Sequence, residues 1–233
     1  MNRQRTLAVI PSAGLGRRMG SRKKNYLMLS GRPVLAHTLS AFEECPLIDA
    51  VVIAAAPPDV EMCGKDIVEA YGFGKVVKVV AGGAERQDSV ANALKLAAGF
   101  GIIAVHDGAR PLVTPGIIEA VVGAAVKNGA AIAAVALKDT IKEASRGMVR
   151  RTVDRENLLS VQTPQAFRTE LLLRAFEKAR QDDFLGTDES SLVERLGEPV
   201  SIVEGSYENI KITTAEDMAF AEWVLRRRVA PGK

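Results

Sequence analysis

Five cations, Arg17, Arg18, Arg22, Lys23 and Lys24, fall within eight residues. They directly follow a run of small residues and glycines, Pro11-Ser12-Ala13-Gly14-Leu15-Gly16. Small side chains let backbone N–H groups approach a ligand, and neighbouring cations neutralise it, so the loop suits a polyphosphate. A P-loop requires Lys-Ser/Thr at a fixed distance from its first glycine, and no frame through Gly14 or Gly16 supplies it. A dinucleotide fingerprint requires glycine where Met19 stands. It also requires an acid closing the second strand, which instead ends Ala54-Ala55-Ala56-Pro57-Pro58. The loop alone leaves two readings: a tight turn with solvated cations, or a nucleoside triphosphate site of the nucleotidyltransferase kind.

Such a loop needs a rigid support, and the chain can build one. Its 233 residues are 47% hydrophobic and 25% charged, enough apolar material for one large α/β domain. Apolar runs at 6–10, 50–55, 76–80, 102–106 and 131–137 are nearly continuous, as parallel strands covered on both faces must be. Helical periodicity fills 33–44, 58–71, 87–99 and 115–127, with Pro33 and Pro115 at tolerated first-turn positions. This order predicts a doubly wound, mostly parallel α/β sheet. After residue 137 the rhythm breaks. Asp139–Ala144 and Met148–Val153 flank Ser145-Arg146-Gly147, which reads as a projecting hairpin. Helices are expected again at 169–181, 188–196 and 215–228, with strands near 200–203 and 209–213. The whole of 1–233 is expected to be a single domain with a β-arm at about 138–161.

Composition also excludes partners. A net charge of +3 is spread through interspersed acids, and 5% aromatic content offers no base-stacking platform, so no nucleic acid is expected. No apolar run is long enough to span a bilayer, and Leu7–Ile10 is too short for a signal segment. Cys45 and Cys63 lack partners at metal-ligand spacing and read as free thiols of a cytoplasmic protein.

The loop and the segments beyond it resemble the 2-C-methyl-D-erythritol 4-phosphate cytidylyltransferases. The resemblance runs in order through Pro11–Met19 with Lys24-Asn25-Tyr26-Leu27, Gly82–Val90, His106-Asp107-Gly108-Ala109-Arg110-Pro111 and Asp139-Thr140-Ile141-Lys142. It continues through Val153-Asp154-Arg155, Gln162-Thr163-Pro164-Gln165, Thr187-Asp188-Glu189 and Val203-Glu204-Gly205 to Asn209-Ile210-Lys211-Ile212-Thr213. It implies a Rossmann-like nucleotidyltransferase fold and the joining of methylerythritol phosphate to the α-phosphorus of CTP, with release of pyrophosphate. Arg18 and Lys24 would stabilise the transition state at the α-phosphate. Lys211, expected on a short strand, would orient the incoming phosphate, and Arg155 would complete the catalytic set. Pro11, Ser12, Ala13, Gly14, Gly16, Gly83, Ala84 and Ser89 would hold CTP. Asp107, Arg110, Thr140 and Thr163 would meet the sugar and the substrate. Magnesium would travel mainly on the CTP phosphates, with no protein ligand named. Family members are homodimers in which the arm sends Thr140 and Arg155 into the neighbouring site.

The chain departs from the family pattern at a few points. Ser12 stands for the usual alanine, Asn25 for the commoner glutamine, and Ala136 for a proline found in some members. The Met19-to-Lys24 spacing is one residue short, which leaves Lys23 as the alternative loop lysine. The chemistry needs no general base, because a phosphate monoester with a second pKa of about 6 is already largely a dianion at neutral pH. That agrees with only two histidines, His37 in a helix and His106 at a strand end, both read as packing residues. The rival functions are an alditol-phosphate cytidylyltransferase, ribitol phosphate foremost, and a non-catalytic nucleotide-binding regulator.

Overall fold

A computed structural model describes residues 3–14 and 24–229. The elements follow in chain order: β1 (Thr6–Ser12), a single helical turn at Lys24–Tyr26, β2 (Met28–Leu29), β3 (Arg32–Pro33), α1 (Val34–Glu44) and β4 (Ala50–Ala55). Next come α2 (Val60–Met62), continued by a wider π-type turn over Cys63–Glu69, then β5 (Val76–Ala81), α3 (Arg86–Leu94), β6 (Ile102–Val105), α4 (Pro115–Asn128) and β7 (Ala130–Ala136). The hairpin β8 (Ile141–Ser145) and β9 (Met148–Val153) precedes β10 (Leu159–Arg168), α5 (Thr169–Gln181), α6 (Glu189–Glu194), β11 (Ser201–Glu204) and α7 (Ala215–Val229).

The central sheet has seven strands in the order β11-β7-β10-β6-β1-β4-β5. All of its pairings are parallel except the two made by β10, so the fold is the doubly wound, mostly parallel class expected. Strand β1 shows why its sequence is apolar throughout. Ala8 and Ile10 enter the core beneath α1 and α4, whereas Leu7 and Val9 enter the opposite core beneath α3 and α5. A strand buried on both faces has no solvent side on which to place polar residues. A third, smaller core of Leu29, Val34, Leu112 and Ile212 seats α7 through Ala221 and Val224.

Four expectations are corrected. The run 58–71 is not one regular α-helix, because Pro57 and Pro58 open it with a 3-10 turn and the chain widens from Cys63 onward. The predicted helix 87–99 stops at Leu94; irregular turns follow, and Gly99 with φ +82° closes them. No strand forms over 209–213: Lys211 lies on an extended connection whose Ile212 N–H bonds to the Ala109 carbonyl. The last correction is β10, an interior strand where only the end of an arm was expected. Gln162, Thr163, Pro164 and Gln165 do not look like a buried strand, and proline removes a ladder donor. The strand tolerates Gln162, Thr163 and Pro164 because its register on β7 shifts between Val161 and Gln165, which leaves them in a bulge, while Gln165 pairs with Ile132 and Val105.

The hairpin β8–β9 stands where it was expected, and nearly all its residues are exposed. Among the described residues, no helix is long and apolar enough to cross a membrane. Phe167 of β10 is fully buried, paired with Ile103 on one side and Ala130 on the other. Phe167→Ala should therefore lower unfolding stability by about 3–5 kcal/mol in urea melts. A loss below about 1 kcal/mol would mean that β10 is not an interior strand.

Candidate active site

The carboxyl ends of β1 and β6 and the start of α3 surround a cleft of about 460 Å³. Open α/β sheets bind ligands at this end. Pro11, Ala13 and Gly14 form one wall, continued by Lys24 and Asn25; Gly83, Ala84 and Ser89 form another, and Asp107 and Lys211 close the third. Asn25 ties the first wall together by donating from Nδ2 to the Ser12 carbonyl at 2.8 Å. The second wall is a helix start. Glu85 caps α3, its side chain accepting from the backbone N–H of Asp88, while Asp88 accepts the Glu85 N–H at 3.1 Å. Ser89 Oγ accepts the Gly83 N–H and donates to the Glu85 carbonyl, so its hydroxyl shapes the loop.

Two glycines are dictated by contact. A Cβ on Gly83 would lie 2.2 Å from Asp88 Cβ, and one on Gly108 would lie 2.2 Å from Ser12 Oγ. Backbone therefore passes over the strand ends at a distance no side chain allows.

Asp107 organises the third wall. Its side chain is 9% exposed and contacts three cations: Arg86 Nε at 3.2 Å, Arg110 Nε at 3.2 Å and Lys211 Nζ at 3.1 Å. Burial pushes the Asp107 carboxyl upward, but Arg86, Lys211 and Arg110 more than offset that and hold it well below the usual carboxylate range. Burial also lowers Arg110, against the pull of Asp107, while Glu189 and Asp107 overcome burial to raise Arg86. Beneath Asp107, Thr163 Oγ1 accepts the Asp107 N–H at 3.0 Å and donates to His106 Nδ1 at 3.0 Å. His106 Nε2 donates to the Arg110 carbonyl at 3.2 Å, so the imidazole is neutral with its proton on Nε2. Burial pushes His106 down to about 4.

Comparisons with known proteins identify the family of this chain. The family model of the 2-C-methyl-D-erythritol 4-phosphate cytidylyltransferases matches residues 6–227. The chain belongs to this family. A relative of that name from Pelotomaculum thermopropionicum is 52% identical over 224 residues, covering 95% of this chain and 94% of the relative. The crystal structure of 4-diphosphocytidyl-2C-methyl-D-erythritol synthase from Anaerococcus prevotii matches with a TM-score of 0.85 at 33% identity, over 97% of this chain and 100% of that one. The Thermus thermophilus cytidylyltransferase structure matches at a TM-score of 0.78 and 36% identity, over 94% and 98%.

Within this cytidylyltransferase scaffold the residues expected at the site separate into groups. Pro11, Ala13, Gly14, Lys24, Gly83, Ala84, Ser89, Asp107 and Lys211 come together around the cleft. Ser12 lies under the Gly108 loop, buried, with its hydroxyl unpaired. Arg110 and Thr163 sit behind Asp107, where Arg110 also donates to the Asn209 carbonyl at 2.9 Å. Thr140 and Arg155 are exposed at the base of the hairpin, where Arg155 donates to the Lys138 carbonyl. Gly16, Arg18 and the alternative lysine Lys23 lie outside the described residues.

Sequence reasoning assigned no role to Arg86, which lines the cleft, or to Glu189, its buried partner at 2.7 Å. The signal was present in Glu85-Arg86 and Thr187-Asp188-Glu189, but only the fold shows that they meet.

A buried neutral imidazole makes stability depend on pH. The folded pKa of His106 lies below the unfolded value of about 6.5, so the unfolded chain takes up the proton first. Stability is therefore complete above about pH 6.5 and falls by about 3 kcal/mol as pH drops towards 4. His37 is also lowered by burial and acts in the same direction, so the comparison must be differential. Urea melts across this window should show a shallower acid limb for His106→Gln than for the unsubstituted chain. Parallel limbs would show that His106 is not a buried neutral group.

Proposed function

We propose that this cleft transfers the cytidylyl group of CTP to 2-C-methyl-D-erythritol 4-phosphate, giving 4-diphosphocytidyl-2-C-methyl-D-erythritol and pyrophosphate. The observation that carries the reading is the placement of Lys24 and Lys211 on different walls of one cleft, with Lys211 held by Asp107. Both reactants are anions, so the barrier is charge repulsion and charge build-up at phosphorus. Two compact ammonium groups on separate walls answer that need. Lys24, aided by Arg18, stabilises the α-phosphate. Lys211 aims the methylerythritol phosphate dianion, which attacks without a base. Pyrimidine fits the slot between Pro11–Gly14 and Gly83-Ala84, where small residues leave room for a single ring.

Magnesium fits this site as a passenger on the triphosphate. Both Asp107 oxygens are taken by cations, and Glu85 is engaged in its helix cap, so cleft carboxylates are not free to ligate it. Bound there, the ion would neutralise phosphate oxygens and assist the leaving pyrophosphate.

The arm supports a homodimer. Met148 and Val149 of β9 are 74% and 63% exposed, and a second copy would cover them. Thr140 and Arg155, which are not among the residues lining this chain's own cleft, then serve the neighbour's site. The chain acts as one nucleotidyltransferase domain, with an arm at about 138–161, in the cytoplasm. Its partners are small molecules and its own copy, with neither nucleic acid nor membrane among them.

Three experiments follow. Pyrophosphate release from CTP should be at least about tenfold faster with methylerythritol phosphate than with ribitol phosphate. Lys211→Ala should lose about 100-fold or more in kcat. Preference for ribitol phosphate would overturn the substrate, and no turnover with either would overturn the enzyme. Verified heterodimers of an Arg155→Ala chain with a Lys211→Ala chain should regain activity that neither homodimer has. Their silence would count against a shared site.

A further inference from the structure

Glu189 is a charged side chain that the mechanism does not use. It is 1% exposed, does not line the cleft, and occupies the first turn of α6. Its position is fixed from below. Asp188 caps α6 through the Ser191 N–H at 2.9 Å, and Gln165 of β10 receives the Ser190 N–H at 3.0 Å while donating to Asp188 at 2.7 Å. Nothing in that scaffold needs a carboxylate at 189. The side chain instead reaches Arg86, whose Nη1 donates to Glu189 Oε1 at 2.7 Å.

Arg86 then links two carboxylates of different kinds. Its Nη1 serves the buried Glu189 and its Nε serves Asp107 Oδ1 at 3.2 Å. Asp107 Oδ2 in turn holds Lys211 at 3.1 Å. The Glu189–Arg86 contact is a single bond, since Glu189 Oε2 and Arg86 Nη2 are both buried without partners. A bond of that form fixes where the guanidinium sits more than it satisfies either group. Burial raises the Glu189 carboxyl against the pull of Arg86, so retaining it there is costly for packing alone.

We propose that Glu189 is a positioning residue for cytidylyl transfer, anchoring Arg86 so that Asp107 holds the Lys211 ammonium at the reacting phosphate. This rests on the cytidylyl-transfer reading above. With the charge at 189 removed, Arg86 turns wholly to Asp107 and competes with Lys211 for it. Lys211 is then less well aimed, and the loss falls on the transition state more than on nucleotide binding.

A double-mutant cycle on the full-length protein tests this, with CTP and methylerythritol phosphate as substrates and single-turnover conditions for slow variants. Glu189→Gln, which keeps shape and an acceptor oxygen, should lower kcat by about tenfold while changing KM for CTP by less than about twofold. In a Lys211→Met background the same substitution should cost less than about twofold. An equal factor in both backgrounds, or a loss seen only in melting temperature, would overturn the proposal. If Glu189→Gln does not fold, Arg86→Lys reads the same chain at its next link. Its loss should likewise vanish when Lys211 is Met, and a retained loss would overturn the proposal. Absence of turnover in the unsubstituted protein would instead overturn the functional reading itself.

Discussion

One buried carboxylate with three cations around it holds the site together. Asp107 stands just past β6, and its partners come from three distant places in the chain: Arg86 at the start of α3, Arg110 in its own loop, and Lys211 on the connection before α7. A carboxylate in that position would be costly if left alone, and its removal would leave cations stranded in a partly buried wall. The cluster therefore acts as a keystone. It fixes a lysine that would otherwise be a flexible, solvated side chain and presents it to a cleft where anions must meet.

The rest of the fold follows from holding that carboxylate in place. Parallel strands buried on both faces bring several carboxyl ends to one edge of the sheet, and small residues there let backbone approach a ligand. The antiparallel intrusion of β10 supplies the underside: Thr163 receives the Asp107 N–H and bonds to His106 Nδ1, while burial keeps His106 neutral. A neutral His106 matters because an imidazolium there would add a fourth cation to the cluster.

The sequence was legible wherever one physical demand dominated. Two-sided burial makes β1, β4, β6 and β7 nearly continuous in apolar residues, and those strands were readable to within a residue or two. Gly83, expected at the nucleotide site, leaves no room for a Cβ beside Asp88. Where demands competed, the pattern failed. Strand β10 carries Gln162, Thr163 and Pro164 because it serves the site's underside while completing the sheet, so it does not look like a strand. Lys211 needed no strand, because Asp107 and the Ile212 N–H hold its segment. Glu189 was unreadable as a partner of Arg86, since their meeting depends on the tertiary fold bringing the first residues of α3 and α6 together, and local spacing carries no record of that.

The central claim is that Lys24 and Lys211 face one reacting phosphorus from separate walls, Lys24 on the CTP α-phosphate and Lys211 on the incoming phosphate, while Asp107 stays anchored to Arg86. A crystal structure of the complex with a non-reacting CTP analogue and methylerythritol phosphate tests it most directly. The α-phosphate should lie within hydrogen-bonding reach of Lys24 and the methylerythritol phosphate within reach of Lys211, with the Arg86–Asp107 contact intact. A methylerythritol phosphate bound away from Lys211, or an Asp107 that has released Arg86, would contradict it.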